Sequence, residues 1–213
     1  GKFVQACSFL SLTLSVDNQI IHPSRCYGLW TRYPGAKWKT KEDIPYFYRD
    51  FDQTSAEYIM RIDADYSKVR DAVRKRFPQR PFQYMLDYLA LEELTHNVSR
   101  REGLLTDIKK SFQESEQLGQ ILTPCNAIHE LDIQCRFFTD DIPYGLLIAK
   151  WIAQELDVET PFIDEVIAWA SKLRGWTFTN EDGTIDTDYC LKNLLLTGIP
   201  PAYGILDVSE ILD

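Results

Sequence analysis

An apolar stripe between residues 54 and 78 is the clearest periodic pattern in the chain. Apolar side chains recur there at spacings of three and four residues, as on one face of a helix: Ile59, Ile62, Tyr66, Val69, Val73 and Phe77. The pattern predicts a long helix that begins at a Thr54 or Ser55 cap and ends before Pro78. The basic side chains near its end suit a helix C-terminus: Arg70, Arg74, Lys75 and Arg76.

A shorter helix is predicted earlier in the chain, after a cap at Asp17 or Asn18. It carries His22, and Pro23 either kinks it or ends it at His22. Residues 1–16 are apolar and rich in Ser and Thr. Leu10, Leu12, Leu14 and Val16 alternate there with small polar residues, which leaves a strand and a buried helix both open.

Helical patterns cover most of the rest of the chain, and no convincing series of strands is found. The predicted segments are 82–93, a moderate stripe within 95–120, 145–156, a helix from Thr160-Pro161 to Gly175, and a last helix from Asp186 or Thr187 to near Gly198. The prediction is therefore an all-α, multi-helix domain that covers residues 1–213 as one unit.

Composition narrows the classes of partner. The net charge of −9 argues against nucleic acid or an anionic membrane as a partner. No apolar run is long enough to span a bilayer. The five cysteines are scattered, without a CxxC pair, and indicate free thiols in a reducing compartment, which predicts a cytoplasmic protein. A chain that begins at Gly1, without methionine or signal peptide, suggests a processed or excised piece.

The densest polar cluster runs from Arg136 to Gly145, with the sequence RFFTDDIPYG. Thr139, Asp140 or Asp141 can cap a helix there, which would place Arg136 and Asp141 just outside a helix N-terminus, a position that favours anions. The alternative is a capped helix start with a surface salt bridge.

His22 is one of three histidines, with His96 and His129. A lone histidine is more often a hydrogen-bonded structural residue than a catalytic one. A histidine becomes catalytic only where the surrounding geometry places it against a reacting group. His22 differs from the others in its flanking apolar pair and proline, which can fix the orientation of its ring.

Three short motifs carry a family resemblance in the order expected. Asn18-x-x-x-His22-Pro23 is followed by Arg136-Phe-Phe-Thr-Asp-Asp141-x-Pro143-Tyr144-Gly145-Leu146 and then by Thr160-Pro161-x-Ile163-Asp164. Over roughly residues 14–198 the chain resembles the C-terminal helical domain of the opine dehydrogenases, the octopine type in particular. The implied fold resembles the C-terminal domain of the 6-phosphogluconate dehydrogenase-like superfamily.

The resemblance implies an activity shared between two domains. The family condenses an α-keto acid, often pyruvate, with the amine of an amino acid, and reduces the imine with NADH or NADPH held by an N-terminal Rossmann domain. This chain has no GxGxxG fingerprint, so the resemblance covers the substrate domain alone, which is expected to be inactive by itself. Arginine is the favoured amino acid because the chain is acidic and carries Tyr84, Tyr88 and Trp151, although core packing explains these aromatics equally well.

The resemblance also implies roles for individual residues. His22 would be the general acid/base and Asp141 would hydrogen-bond its other ring nitrogen. Arg136 would hold the keto-acid carboxylate through its bidentate fork, and Asn18, one turn before His22, would support the site.

Two alternatives remain at this point. A non-catalytic helical interaction domain predicts that His22, Arg136 and Asp141 lie apart on the surface, whereas an enzyme requires them to converge in one cleft. The helical domain of a related hydroxy-acid dehydrogenase would share the architecture but lack the Arg136 and Asp141 spacing.

Overall fold

The computed structural model describes residues 8–96 and 104–212. Within these ranges the chain is helical, and the only β-type pairing consists of four isolated bridges. The α-helices are α1 Phe9–Thr13, α2 Asn18–Arg32, α3 Gln53–Arg76, α4 Tyr88–His96, α5 Leu104–Gln113, α6 Arg136–Thr139, α7 Leu147–Glu155, α8 Pro161–Arg174 and α9 Thr187–Lys192. A π-helical turn at Ile142–Leu146 joins α6 to α7, and short 3-10 turns lie at Lys41–Asp43, Leu194–Leu196, Pro200–Tyr203 and Val208–Ile211.

Helices α2 and α3 make the most extensive helix–helix contact in the described residues. They approach closely at Gly28, where an added Cβ would lie 2.3 Å from the Ser55 hydroxyl oxygen and 3.1 Å from the Ser55 Cα. A side chain at position 28 would therefore push the two helices apart.

The predicted stripe of α3 is buried from Ile59 to Val73, as its period requires. The predicted cap at Thr54 or Ser55 is wrong, because Asp52 holds the N-cap and its carboxylate accepts from the Ser55 N–H at 2.8 Å. Arg70 does not serve the helix terminus: its buried guanidinium donates to the Asp63 carboxylate at 2.5 Å.

Helix α2 begins after Asp17, whose carboxylate accepts from the Asn18 N–H at 2.8 Å. It continues through Pro23 to Arg32, so the prediction that proline ends it at His22 is wrong. Packing on α3 outweighs the one backbone hydrogen bond that proline removes.

Two other helices begin later than the sequence predicts. The segment 82–93 becomes helical only at Tyr88, and the helix predicted at 145–156 is α7, which begins at Leu147 after the π-helical turn. In the N-terminal segment, described from residue 8, α1 resolves the choice in favour of helix. Gly175 with φ 69° and the Asp186 cap stand where the sequence predicts them.

The N-terminus of α8 is capped by α3. The Asp65 carboxylate accepts from the backbone N–H of Phe162 at 2.7 Å and of Ile163 at 3.1 Å. Thr160 occupies the N-cap position as predicted, but its hydroxyl donates to Asp164 at 3.0 Å instead of receiving a backbone N–H.

Buried apolar side chains from each of the helices α1–α9 and from the segments between them form one contiguous cluster. In the described part of the chain, no helix has both the length and the apolar character that a bilayer crossing requires. Four cysteines are free thiols, Cys26, Cys125, Cys135 and Cys190, and Cys7 lies outside the described residues.

Candidate functional site

The structure brings His22 and Asp141 together although 119 positions separate them. The Nδ1 atom of His22 lies 2.7 Å from an Asp141 carboxylate oxygen. Both residues are buried, with 3% and 7% of their surface exposed. Because a carboxylate only accepts, Nδ1 carries the proton in this pair, which leaves the lone pair of the neutral ring on Nε2.

The Nε2 atom of His22 is hydrogen-bonded as well. It lies 2.8 Å from the hydroxyl oxygen of Tyr48, whose side chain is also buried. With Nδ1 donating to Asp141, the Tyr48 hydroxyl donates to Nε2. The three side chains form one hydrogen-bonded chain, Tyr48–His22–Asp141.

Asp141 reaches α2 because the backbone widens between α6 and α7. The Leu146 N–H donates to the Asp141 carbonyl at 3.0 Å, five residues back, as in a π-helix. Gly145 in this turn lies against α2, since an added Cβ there would be 2.6 Å from the Cβ of Gln19. Glycine is thus required for the close approach that positions Asp141 beside His22.

Tyr48 is positioned by the fully buried Arg25, three residues after His22 on α2. The guanidinium donates to the Asp52 carboxylate at 2.7 Å and to the backbone carbonyls of Phe47 at 2.8 Å, Asp50 at 2.9 Å and Tyr46 at 3.3 Å. Burial lowers the pKa of Arg25, and the Asp52 carboxylate opposes that shift. One side chain of α2 therefore fixes the backbone on both sides of Tyr48.

Aromatic rings enclose the imidazole. Phe137 of α6 stacks on His22 with the ring centroids 4.0 Å apart and the planes 25° apart. Phe47 lies 5.9 Å from the same ring and 4.7 Å from Phe137. The apolar walls exclude water from the His22–Asp141 pair and so strengthen its electrostatics.

Arg136 is the first residue of α6, with Cys135 at its N-cap, and it lies before the π-helical turn that leads into α7, of which Asp141 is the N-cap residue. Its side chain is 62% exposed, and its one ion pair among the described residues is a long one of 3.9 Å with Asp140. Such a pair holds a guanidinium weakly and leaves it available to another anion. Asn18, the first residue of α2, is half-buried and lies one turn before His22.

The hydroxyl of Tyr48 stays protonated over the physiological range. Burial raises the pKa of Tyr48 to about 12, and the negative charges of Asp141 and Asp17 act in the same direction, while the positive charge of Arg136 opposes them. Tyr48 can therefore donate a hydrogen bond to His22.

Sequence reasoning missed Tyr48, Arg25 and Phe137. Tyr48 lies in an aromatic run, residues 46–51, that reads as packing. Arg25 resembles any helix-surface arginine, and no periodicity distinguishes it. Phe137 belongs to the polar cluster from Arg136 to Gly145, but nothing in the sequence pattern predicts that its ring stacks on the imidazole of His22.

The described residues contain no group of three or more His, Cys, Asp or Glu side chains placed to hold a metal ion. The site is instead a hydrogen-bonded cluster of one carboxylate, one imidazole and one phenol, and the exposed Arg136 directly precedes Phe137, which stacks on the imidazole.

Comparisons with a family model, with curated proteins and with solved structures all lead to the opine-type dehydrogenases. Residues 5–174 match the sequence model of the family described as "NAD/NADP octopine/nopaline dehydrogenase, alpha-helical domain". Opine dehydrogenase of Haliotis discus hannai is 26% identical over 98% of the chain, and tauropine dehydrogenase of Arabella iricolor is 25% identical over 95%. A solved structure of octopine dehydrogenase with NADH and L-arginine superposes on 99% of the chain with a TM-score of 0.80 at 21% identity, which shows the shared fold.

The chain spans about half the length of these relatives, 50% in each of the three comparisons.

Proposed function

Because the chain belongs to the octopine/nopaline dehydrogenase family and carries its alpha-helical domain, we propose that it forms the substrate half of an NADH- or NADPH-dependent opine dehydrogenase. The enzyme joins the amine of an amino acid to an α-keto acid, with pyruvate as the keto acid and arginine as the favoured amino acid. A nucleotide-binding half of the same parent protein completes the site.

The buried His22–Asp141 hydrogen bond carries this proposal. Condensation requires a base that removes a proton from the ammonium form of the amine, and an acid that returns a proton to the oxygen lost as water. His22 performs both tasks, and Asp141 fixes its tautomer and stabilises the imidazolium. A non-catalytic interaction domain gives no reason to bury and pair these two residues.

Arg136 suits the keto-acid carboxylate. Its guanidinium is exposed and held only by a long ion pair, so a bidentate carboxylate can replace Asp140. Asn18, half-buried in the first turn of α2 and one turn before His22, is proposed to support the substrate site.

Of the three aromatics that the sequence analysis names for arginine, Tyr88 and Trp151 are packed in the core and Tyr84 is half-buried. Tyr84 and the acidic balance of the chain therefore remain as support for a guanidinium substrate.

The nicotinamide nucleotide does not fit the residues of this chain. Across the described residues no strand leads through a glycine-rich turn into a helix, so the dinucleotide belongs to the other half of the enzyme. When bound, it supplies the hydride. The residues of this chain bind the keto acid and move the proton. The free thiols fit a reducing compartment, and we place the enzyme in the cytoplasm on that ground.

The test uses the parent protein with both halves. His22→Gln should lower kcat for the reductive condensation by roughly 10²–10⁴-fold, the usual contribution of a general acid/base, and Asp141→Asn should lower it as well because the tautomer is no longer fixed. The rate of pyruvate- and arginine-dependent NADH oxidation measures both effects, and other amino acids offered in place of arginine test the substrate.

His129→Asn serves as the control, because His129 lies in a loop with φ 59° and asparagine tolerates that backbone. Full activity of folded His22→Gln would refute the assignment.

A further inference from the structure

We infer that the Tyr48 hydroxyl is the group through which His22 exchanges a proton with the substrate. This inference rests on the proposed function, and it adds a residue to the site that neither the sequence motifs nor the comparisons point to. It follows from how the imidazole is surrounded.

Both nitrogens of His22 are engaged. Nδ1 is held by Asp141 at 2.7 Å and Nε2 by Tyr48 at 2.8 Å. One face of the ring is covered by Phe137 at 4.0 Å, and the residue is 3% exposed. A substrate atom reaches the Nε2 lone pair only if the Tyr48 hydroxyl moves aside or transmits the proton itself.

Tyr48 is not built to move aside. Its ring packs edge-on against Phe47 at 5.0 Å and lies 5.5 Å from Phe112. The Arg25 guanidinium bonds the carbonyls of Tyr46, Phe47 and Asp50 around it. Rotating the ring outward would break its buried hydrogen bond to His22 and its contacts with Phe47 and Phe112, while Arg25 holds the surrounding backbone in place.

The Tyr48 hydroxyl forms the Nε2 end of the chain of hydrogen bonds, opposite Asp141 at the Nδ1 end. The carboxylate at the Nδ1 end fixes the ring and returns no proton to a substrate. We therefore place the bound substrate at the Nε2 end, on the far side of the Tyr48 hydroxyl from His22.

In each step, Tyr48 passes on one proton for every proton that it receives. When the ammonium group of the amino acid loses a proton, that proton passes to the Tyr48 oxygen while the phenolic proton passes to Nε2, which gives imidazolium. When the carbinolamine loses its hydroxyl, Tyr48 gives its proton to that oxygen and takes one from Nε2. The C–O bond breaks, water leaves with the electron pair, and the nitrogen lone pair forms the C=N bond. Tyr48 is neutral before and after each step.

Single-turnover rates of the parent enzyme test the inference, because they exclude product release. Tyr48→Phe removes only the hydroxyl and should lower the rate by about 10²-fold with little change in the binding of pyruvate. In mixtures of H₂O and D₂O the wild-type rate should depend on the deuterium fraction along a curve, since two protons move in one step, and this curvature should disappear in Tyr48→Phe.

Tyr46→Phe is the matched control, because it removes a hydroxyl from the same loop outside the hydrogen-bonded chain, and it should retain the wild-type rate. Four outcomes would overturn the relay: a Tyr48→Phe rate within twofold of wild type, a faster Tyr48→Phe, a linear isotope dependence in the wild type, or curvature that persists in Tyr48→Phe. If Tyr48→Phe fails to fold, the isotope dependence of the wild type still tests the relay, because a linear dependence would contradict it.

The parallel His22→Gln variant separates the two proposals. An inactive His22→Gln beside an active Tyr48→Phe overturns the relay and leaves the proposed function intact. An active His22→Gln overturns the proposed function itself.

Discussion

At the scale of single residues, His22 and Asp141 could be found from sequence because short motifs mark both. Their 2.7 Å contact was expected from the family resemblance alone, because no local pattern joins α2 to the turn after α6 across 119 positions. Tyr48 was out of reach for a different reason. A tyrosine in an aromatic run has the same pattern whether its hydroxyl faces solvent or a histidine, so only the fold reveals its partner.

Arg136→Lys should raise KM for the keto acid by roughly 10–100-fold and leave kcat nearly unchanged. Lysine keeps the charge but loses the planar fork, and one charge-assisted hydrogen bond contributes about 1.5–3 kcal/mol. Steady-state kinetics of the parent enzyme with pyruvate as the varied substrate measures the change.

Arg49→Lys is the matched control, because Arg49 is also exposed and also makes a 3.9 Å ion pair, with Asp50. An unchanged KM in Arg136→Lys would remove Arg136 from the carboxylate site.

At the scale of elements, periodicity predicted the existence of helices better than their ends. The α3 stripe was predicted because its apolar period is uninterrupted, but its start was misplaced by the choice of Thr54 or Ser55 over Asp52. The pattern predicted one helix over 82–93, whereas α4 begins only at Tyr88. The apolar residues before Tyr88 are buried as well, but they lie in turns. Local pattern does not distinguish a buried turn from a buried helix.

Gly28→Ala should destabilise the chain by about 1–2 kcal/mol. An added methyl group would lie 2.3 Å from the Ser55 hydroxyl oxygen, and Ser55 also accepts from Arg25 at 3.2 Å. Overpacking of this kind costs about 1–3 kcal/mol and outweighs the gain of about 0.5–1 kcal/mol from removing a helical glycine. Urea unfolding of the chain measures the difference.

Ser24→Ala on the same helix is the control. The Ser24 hydroxyl is buried and has no hydrogen-bond partner among the described residues, so its removal should leave stability equal or slightly higher. Equal stability of Gly28→Ala and wild type would mean that α2 and α3 can separate at little cost.

At the scale of the whole molecule, the all-α class was predictable from the lack of strand patterns, and the family comparison agrees with it. The arrangement of the helices was not predictable. Asp65 on α3 caps α8 across 97 positions, and Arg25 organises a loop more than twenty residues away. Such long-range polar contacts have no periodic signature, because each depends on a single side chain.

Stability should fall as the pH rises from about 10 to about 12. The pKa of Tyr48 is raised by burial from 10.0 to about 12. Below pH 10 the phenol is neutral in both states and its full contribution is present. Between the two values the unfolded chain loses the proton and the folded chain keeps it, so folding loses up to about 2–3 kcal/mol from this residue.

Free energies of unfolding at intervals from pH 8 to the alkaline limit should therefore decline more steeply in wild type than in Tyr48→Phe. The thiols of Cys125 and Cys190, with pKa values raised to about 11 by burial, contribute the same sign to both proteins and cancel in the comparison. Parallel curves would show that Tyr48 is not shielded from water.

The order of residues along the chain sets the order in which the hydrogen-bonded chain is completed during synthesis. Tyr48 follows His22 by 26 positions, which translation at about 5–20 residues per second covers in roughly 1–5 s. Asp141 is 93 positions beyond Tyr48 (141 − 48), and translation at about 5–20 residues per second delivers it roughly 5–20 s later. For that interval the nascent imidazole has its phenol within reach but not its carboxylate. The residue that fixes the tautomer thus arrives last, together with Phe137, which covers the ring.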